Sequence, residues 1–192
     1  GFDPGAIDGQ EGPKTRAAAY AFSKPVGAAL PWIKEAEKVM GLHEVVDSEE
    51  LRAWLRKDGP TLGDPAKLPW CGDFVQTAIK LALPKEKLPE NPYLARNWSS
   101  WGQDATERYG AVVSFWRGNK KGTQGHVAFA IAVDEARGLV EVLGGNQGNE
   151  VSRAWLGMDR ILAWRAPIGW ASKMPPIGKL SSGSAAISTD EA

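Results

Sequence analysis

The hydrophobic period of this chain changes once, near residue 110, and that change limits the fold more than any other feature. Before it, apolar residues recur at helical spacing. Trp32, Ile33, Ala36, Val39 and Met40 form one stripe, which Gly41 ends. Asp47 and Glu50 stand in capping-box relation ahead of Leu51, Trp54 and Leu55, and Gly59-Pro60 closes that second helix. A third helix is predicted from Cys71 to about Leu83, stopped by Pro84. After residue 110 the segments AVVSFWR (111–117), HVAFAIAV (126–133), LVEVLGG (139–145) and RILAWRA (160–166) alternate or are rich in β-formers, with turn residues between them. Helices first and strands afterwards predict an α+β fold, with N-terminal helices packed on an antiparallel β-sheet.

Composition divides the chain into three. Residues 1–24 hold a Gly/Pro/Asp-rich stretch and a short helical run, 25–170 the patterned domain, and 171–192 end in a Ser/Ala-rich tail expected to be flexible. The 23 basic residues balance 23 acidic ones, so no net field draws nucleic acid or an anionic membrane. No apolar run approaches the roughly 18 residues that span a bilayer, and no signal peptide is visible. The chain opens on Gly1 rather than Met, so it reads as a trimmed piece in which a missing leader carries no weight. Two histidines without a spaced ligand cluster predict no metal and no cofactor. A monomer is expected.

Cys71, the single cysteine, rules out an intramolecular disulfide. Pro69 and Trp70 mark a helix start, which puts Cys71 in the first turn, where the helix dipole favours a thiolate. Gly72 is expected to leave the thiol uncrowded. A buried structural thiol is the competing reading. Of the two possible bases, His43 reads as a surface residue, whereas His126 opens a strand. Alternation puts His126, Ala128, Ala130 and Ala132 on one strand face. A helix stripe of Val75, Ala78 and Ala82 docked on that alanine row would bring His126 to the thiol. The next strand pairs as a hairpin through DEARG and ends in GGNQGN. Asn146 is then placed to orient the imidazole, with Gln147 and Asn149 as rivals, and Gly144 and Gly145 permit close backbone approach.

PWCGDFV, GHVAF and LGGNQGN, in that order, resemble the NlpC-type and CHAP-type papain-like cysteine hydrolases, in the branch common in phages and prophages. The resemblance spans about residues 31–167. It implies a papain-like fold, Cys71 as nucleophile, His126 as base and Asn146 at the third polar position, where relatives carry His, Glu or Asn. Asp73 departs from the small residue of that pattern, leaving a substrate contact or a favourable helix-dipole acid as its two readings. Residues 1–22, GFDPGAIDGQEGPKTRAAAYAF, are similar to the second half of the three-helix peptidoglycan-binding module, without its first helix. DPGAIDG lacks the spaced carboxylates of a calcium loop.

The resemblance implies a peptidoglycan hydrolase that cuts an amide bond as an amidase or endopeptidase, made in the cytoplasm and acting in the periplasm or wall. Its partner is bacterial peptidoglycan. Trp70, Asp73, Trp98, Trp101 and Gln147 are the candidate substrate-binding residues, with packing the competing role for the tryptophans of NWSSWG. The alternatives are a non-catalytic wall-binding or structural module and, more weakly, a metal-dependent amidase or a two-carboxylate lysozyme.

Overall fold

The structure, a computed structural model, describes residues 30–179. The segment 1–24, with its partial binding-module motif, lies outside the described residues. Three α-helices come first: α1 (Pro31–Glu37), α2 (Ser48–Leu55) and α3 (Cys71–Ala82). A 3₁₀ helix at Ala95–Ser100 leads to the strands. These are β1 (Gln103–Asp104), β2 (Val112–Trp116), β3 (Gly125–Asp134), β4 (Leu139–Gln147), β5 (Glu150–Gly157), β6 (Ile161–Ala166) and β7 (Gly178–Lys179). The fold is α+β. Its seven-stranded sheet runs β1-β6-β2-β3-β4-β5 with antiparallel neighbours, while the short β7 lies parallel to β3 at Ala132 and Val133.

The helices form for slightly different reasons than their sequence signals suggest. Pro31 occupies the first turn of α1, where its missing N–H costs nothing, and Gly41 takes a left-handed φ of 85° soon afterwards. Asp47 precedes α2 but makes no side-chain cap. Its Oδ2 instead accepts the His43 N–H at 3.0 Å, which ties the loop and not the helix. Strand β5 escaped the pattern reading, because its buried positions Val151, Ala154 and Leu156 break strict alternation.

Helix α3 is buried from Cys71 to Ile79, and three surroundings share its surface. Phe74 meets Phe129 of β3 at 6.1 Å and Trp54 of α2 at 5.4 Å, one aromatic chain through three elements. Gln76 and Thr77 face the loop after α2, where the Gln76 amide donates to Asp58 at 2.8 Å. Gly72 faces the backbone of Pro92 and Tyr93, with Tyr93 O only 2.7 Å from where a Cβ would stand. Its small size therefore admits a neighbouring chain and does not clear space for the thiol.

Residues 171–179, assigned to the flexible tail by composition, belong to the folded domain. Met174 and Ile177 are buried in its core, and β7 adds to the sheet. Two apolar anchors outweigh a polar average.

The sheet contact of α3 also differs from the expected docking on the alanine row. Gly144 looks towards Ala128, whereas Gly145 looks towards the Trp70 ring and the Cβ of Phe74. Successive strand residues face opposite ways, so the helix packs on the Phe129 face and Ala128 lies on the other. Close approach is supplied by Gly145. A Cβ there would stand 2.7 Å from Trp70 Cε3 and 2.8 Å from Phe74 Cβ. Gly145→Ala is expected to destabilise the fold by about 1–3 kcal/mol through overpacking, read as a lower denaturation midpoint. An unchanged midpoint would refute this contact.

Candidate active site

The site forms where β4 leaves β3. The β3–β4 ladder runs from Asp134↔Leu139 to Phe129↔Leu143 and stops there, although β3 continues to Gly125 along β2. Arg117 N–H bonds to Gln124 O and Gly110 N–H to Ala130 O, so the backbone groups of even-numbered residues in β3 point to β2. Those of Val127 point into the opening that β4 has vacated. The Val127 N–H faces the Cys71 thiol there and acts to lower its pKa. The helix start thus enters the opening edge-on, and its sulfur lies one residue along the backbone from His126.

His126 is 1% exposed and its Nε2 lies 3.0 Å from Gln147 Oε1. The Gln147 amide has a fixed sense, because its Nε2 donates to Ser152 O at 2.7 Å. Its oxygen therefore faces the ring, and the ring nitrogen must donate. In the neutral imidazole the proton is then on Nε2 and the lone pair on Nδ1. Ser152 returns a hydroxyl bond to Gln147 O at 3.1 Å, which locks the pair across the hairpin.

The orienting position predicted for Asn146 is thus filled by Gln147. A β-bulge is the reason. Gly144 pairs with Ser152 and Gln147 with Glu150, so three steps along β4 match two along β5. One extra residue reverses the alternation beyond it and puts Gln147 on the face of Gly144, Ala128 and His126. Asn146 is the residue that takes up the slack, with a φ of 60° that Asn tolerates. Gly148 and Asn149, at φ 62° and 64°, then form the two-residue turn with both centres left-handed that joins twisted strands. The signal was present in NQGN: a Gly-Asn turn places Gln147 opposite Glu150, and the preceding Asn is suited to a bulge.

Electrostatics at Cys71 oppose the prediction from its helix position. Burial pushes the thiol up. The N–H groups of Val127, Gly72 and Cys71 and the charge of Arg117 pull down without overcoming it. Helix-end effects are worth typically 0.3–1 kcal/mol, less than the desolvation of a fully buried anion. The resting sulfur is a thiol, and ionising it requires a proton acceptor.

All five residues predicted to bind substrate are buried, the three tryptophans among them. Trp70 is 1% exposed and donates its indole N–H to Glu44 Oε2 at 2.8 Å. Trp98 donates to Pro92 O at 2.7 Å, Trp101 to Lys87 O at 2.6 Å, and the two rings meet edge-on at 5.0 Å. Their indoles anchor the backbone between α3 and the 3₁₀ helix. Trp101 also borders a recess of about 440 Å³ with Glu86, Leu88 and Ile168, a recess lined by none of Cys71, His126 and Gln147. Glu44 is the buried neighbour that pattern reading missed, since nothing in GLHEV signals an inward-facing acid.

Asp73 is buried one position beyond Gly72. Its Oδ2 accepts Thr61 Oγ1 at 2.7 Å and Leu62 N–H at 3.0 Å, and Oδ1 is buried without a hydrogen-bond partner among the described residues. Burial pushes its pKa up to about 6 despite those two donors, with the charge of Asp58 adding to the rise. It therefore anchors the Thr61–Leu62 loop and is not a surface acid. Among the described residues no group of three or more His, Cys, Asp or Glu side chains is arranged to hold a metal ion, and no helix is long and apolar enough to cross a membrane.

Comparisons with protein-family models, with curated proteins and with solved structures find nothing that matches this chain.

The raised pKa of Asp73 has a definite consequence for stability. Between its ordinary value of 3.8 and about 6 the folded chain keeps a proton that the unfolded chain has released. Stability attributable to Asp73 therefore falls as pH rises through that window and stays lower above it. Asp73→Asn keeps an oxygen for Thr61 and Leu62 and removes the titration. Its melting temperature should vary less between pH 4 and 6 than the parent's, with a gain on the order of 1–3 kcal/mol near pH 7. Parallel pH profiles for the two proteins would refute the assignment.

Proposed function

We propose that this protein is a papain-like cysteine hydrolase of bacterial peptidoglycan, of the NlpC or CHAP type, that cuts an amide bond. The observation that carries this reading is the buried hydrogen bond between His126 and Gln147, which fixes the imidazole one residue from Val127, the strand position that Cys71 faces at the start of α3. The lone pair on Nδ1 accepts the Cys71 proton. The resulting thiolate attacks the substrate carbonyl carbon, forming a C–S bond and a tetrahedral oxyanion. Collapse expels the amine, which takes its proton from the imidazolium, and leaves a thioester. Water activated by His126 then hydrolyses that thioester and releases the carboxylate. Gln147 holds the ring in one tautomer throughout, and the N–H groups near Cys71 stabilise developing charge. A wall substrate is favoured by the resemblance of PWCGDFV, GHVAF and GGNQGN to those hydrolases, and bond choice within the wall is a question for the products.

The burial of Cys71, 5% exposed with a raised pKa, favours the second reading, a non-catalytic wall-binding module of the same fold. Thiol chemistry separates the two. In the catalytic reading iodoacetamide labels Cys71 near pH 6, where an unassisted thiol barely reacts, and His126→Ala abolishes that labelling. Cys71→Ala and His126→Ala should each lower the release of fragments from purified peptidoglycan by roughly 10²–10⁴-fold while leaving a folded protein. Gln147→Ala should fall between these and the parent, whereas Asn146→Gly, which suits a left-handed φ, should act like the parent. Mass spectrometry of the fragments names the bond. Full activity in Cys71→Ala would sink the proposal, and fragment release from no wall type would leave the binding module.

A further inference from the structure

We propose that Glu44 is a positioning residue for the site: it sets the place of Cys71 through Trp70 and ties it to the hairpin that carries Gln147. The inference rests on the reading of Cys71 as a nucleophile. Glu44 lies in a segment that extends the sheet beyond β5. Gly41 N–H bonds to Val151 O at 2.7 Å, Val151 N–H to Leu42 O at 3.0 Å, and Glu44 N–H to Asn149 O at 2.9 Å. Asn149 belongs to the two-residue turn between Gln147 and Glu150, so the Glu44 backbone is fixed to the hairpin that orients His126.

The side chain of Glu44 reaches the other half of the site. Its Oε2 accepts the Trp70 indole N–H at 2.8 Å, with Glu44 9% and Trp70 1% exposed. Trp70 is the residue immediately before Cys71, and its ring lies flush against Gly145. Glu44 therefore joins the start of α3, through its carboxyl, to the β4–β5 hairpin, through its backbone N–H. A buried acid costs desolvation unless a donor meets it, and the indole N–H is such a donor. An apolar pair would fill the same volume without fixing direction. The bond to Glu44 fixes the rotation of the Trp70 ring, and ring and backbone together fix the first turn of α3.

Reaction geometry is sensitive to this kind of support, since a shift of about 1 Å at a distance from the chemistry costs on the order of 10²-fold in rate. The test uses the full chain and four variants: Glu44→Ala, Glu44→Gln, Trp70→Phe and the Glu44→Ala/Trp70→Phe double. Peptidoglycan hydrolysis gives kcat and KM, and iodoacetamide gives the pH profile of Cys71 alkylation. Glu44→Ala and Trp70→Phe should each lower kcat roughly 10- to 100-fold with KM within about twofold, and each should slow alkylation near pH 6. The double variant should be no worse than the poorer single, because both remove the same bond. Glu44→Gln keeps an accepting oxygen and should retain most of the activity. Parent-like kcat and alkylation in Trp70→Phe, multiplied losses in the double, or a Gln variant as damaged as the Ala variant would each overturn the role. If Glu44→Ala does not fold, Trp70→Phe and Glu44→Gln still decide. Full activity in Cys71→Ala would instead remove the underlying reading.

Discussion

The departure of β4 from β3 beyond Phe129↔Leu143 is the constraint on which the rest of the site depends. A continuous ladder would have spent the Val127 N–H on a neighbouring strand and closed the space that Cys71 occupies. The bulge at Gly144–Gln147 opens that space, and Gly145 lets Trp70 and Phe74 come within contact of the strand backbone. A helix start is a good occupant for such an opening, because its own N–H groups are unpaired and it brings a side chain edge-on to the sheet. The same bulge turns Gln147 towards His126. One irregularity thus admits the cysteine and aims the group that orients the histidine.

Burial governs the chemistry available there. Cys71, His126 and Gln147 are all nearly inaccessible, and the cost of a lone anion raises the thiol pKa. Asp73, two residues on, shows the same balance more clearly. It stands in the first turn of α3 with two donors on one oxygen, and burial still pushes it up to about 6. Under our proposed function, charge arises at Cys71 only as a pair with His126, which is how a buried site makes thiol reactivity depend on the histidine.

Much of the fold was legible because helices and strands impose periods that the residues obey. All seven segments read from the pattern carry the element predicted for them: helices at Trp32–Ala36, Leu51–Leu55 and Cys71–Ala82, and strands at Val112–Trp116, Gly125–Val133, Leu139–Gly145 and Ile161–Ala166. Strand β5 was hidden because a strand packed unevenly on its two faces loses its alternation. The residues 171–179 were misassigned for the opposite reason: composition averages over a segment, whereas Met174 and Ile177 act singly.

For the candidate site, the sequence by itself determined the cast: one cysteine at a helix start, one histidine opening a strand, and an amide-rich turn after the partner strand. Local chemistry suffices for that, because helix starts, strand periods and Gly-Asn turns are short-range features. Only the tertiary structure decided which amide holds the ring, which face of β3 the helix covers, and that Trp70, Trp98 and Trp101 point inward. Each of those depends on parity across a bulge or on burial by distant residues. A single extra residue in β4 exchanges Asn146 for Gln147, and a carboxyl 26 positions upstream holds Trp70 in place. Register and burial are properties of pairs of segments, so they are fixed when the segments meet.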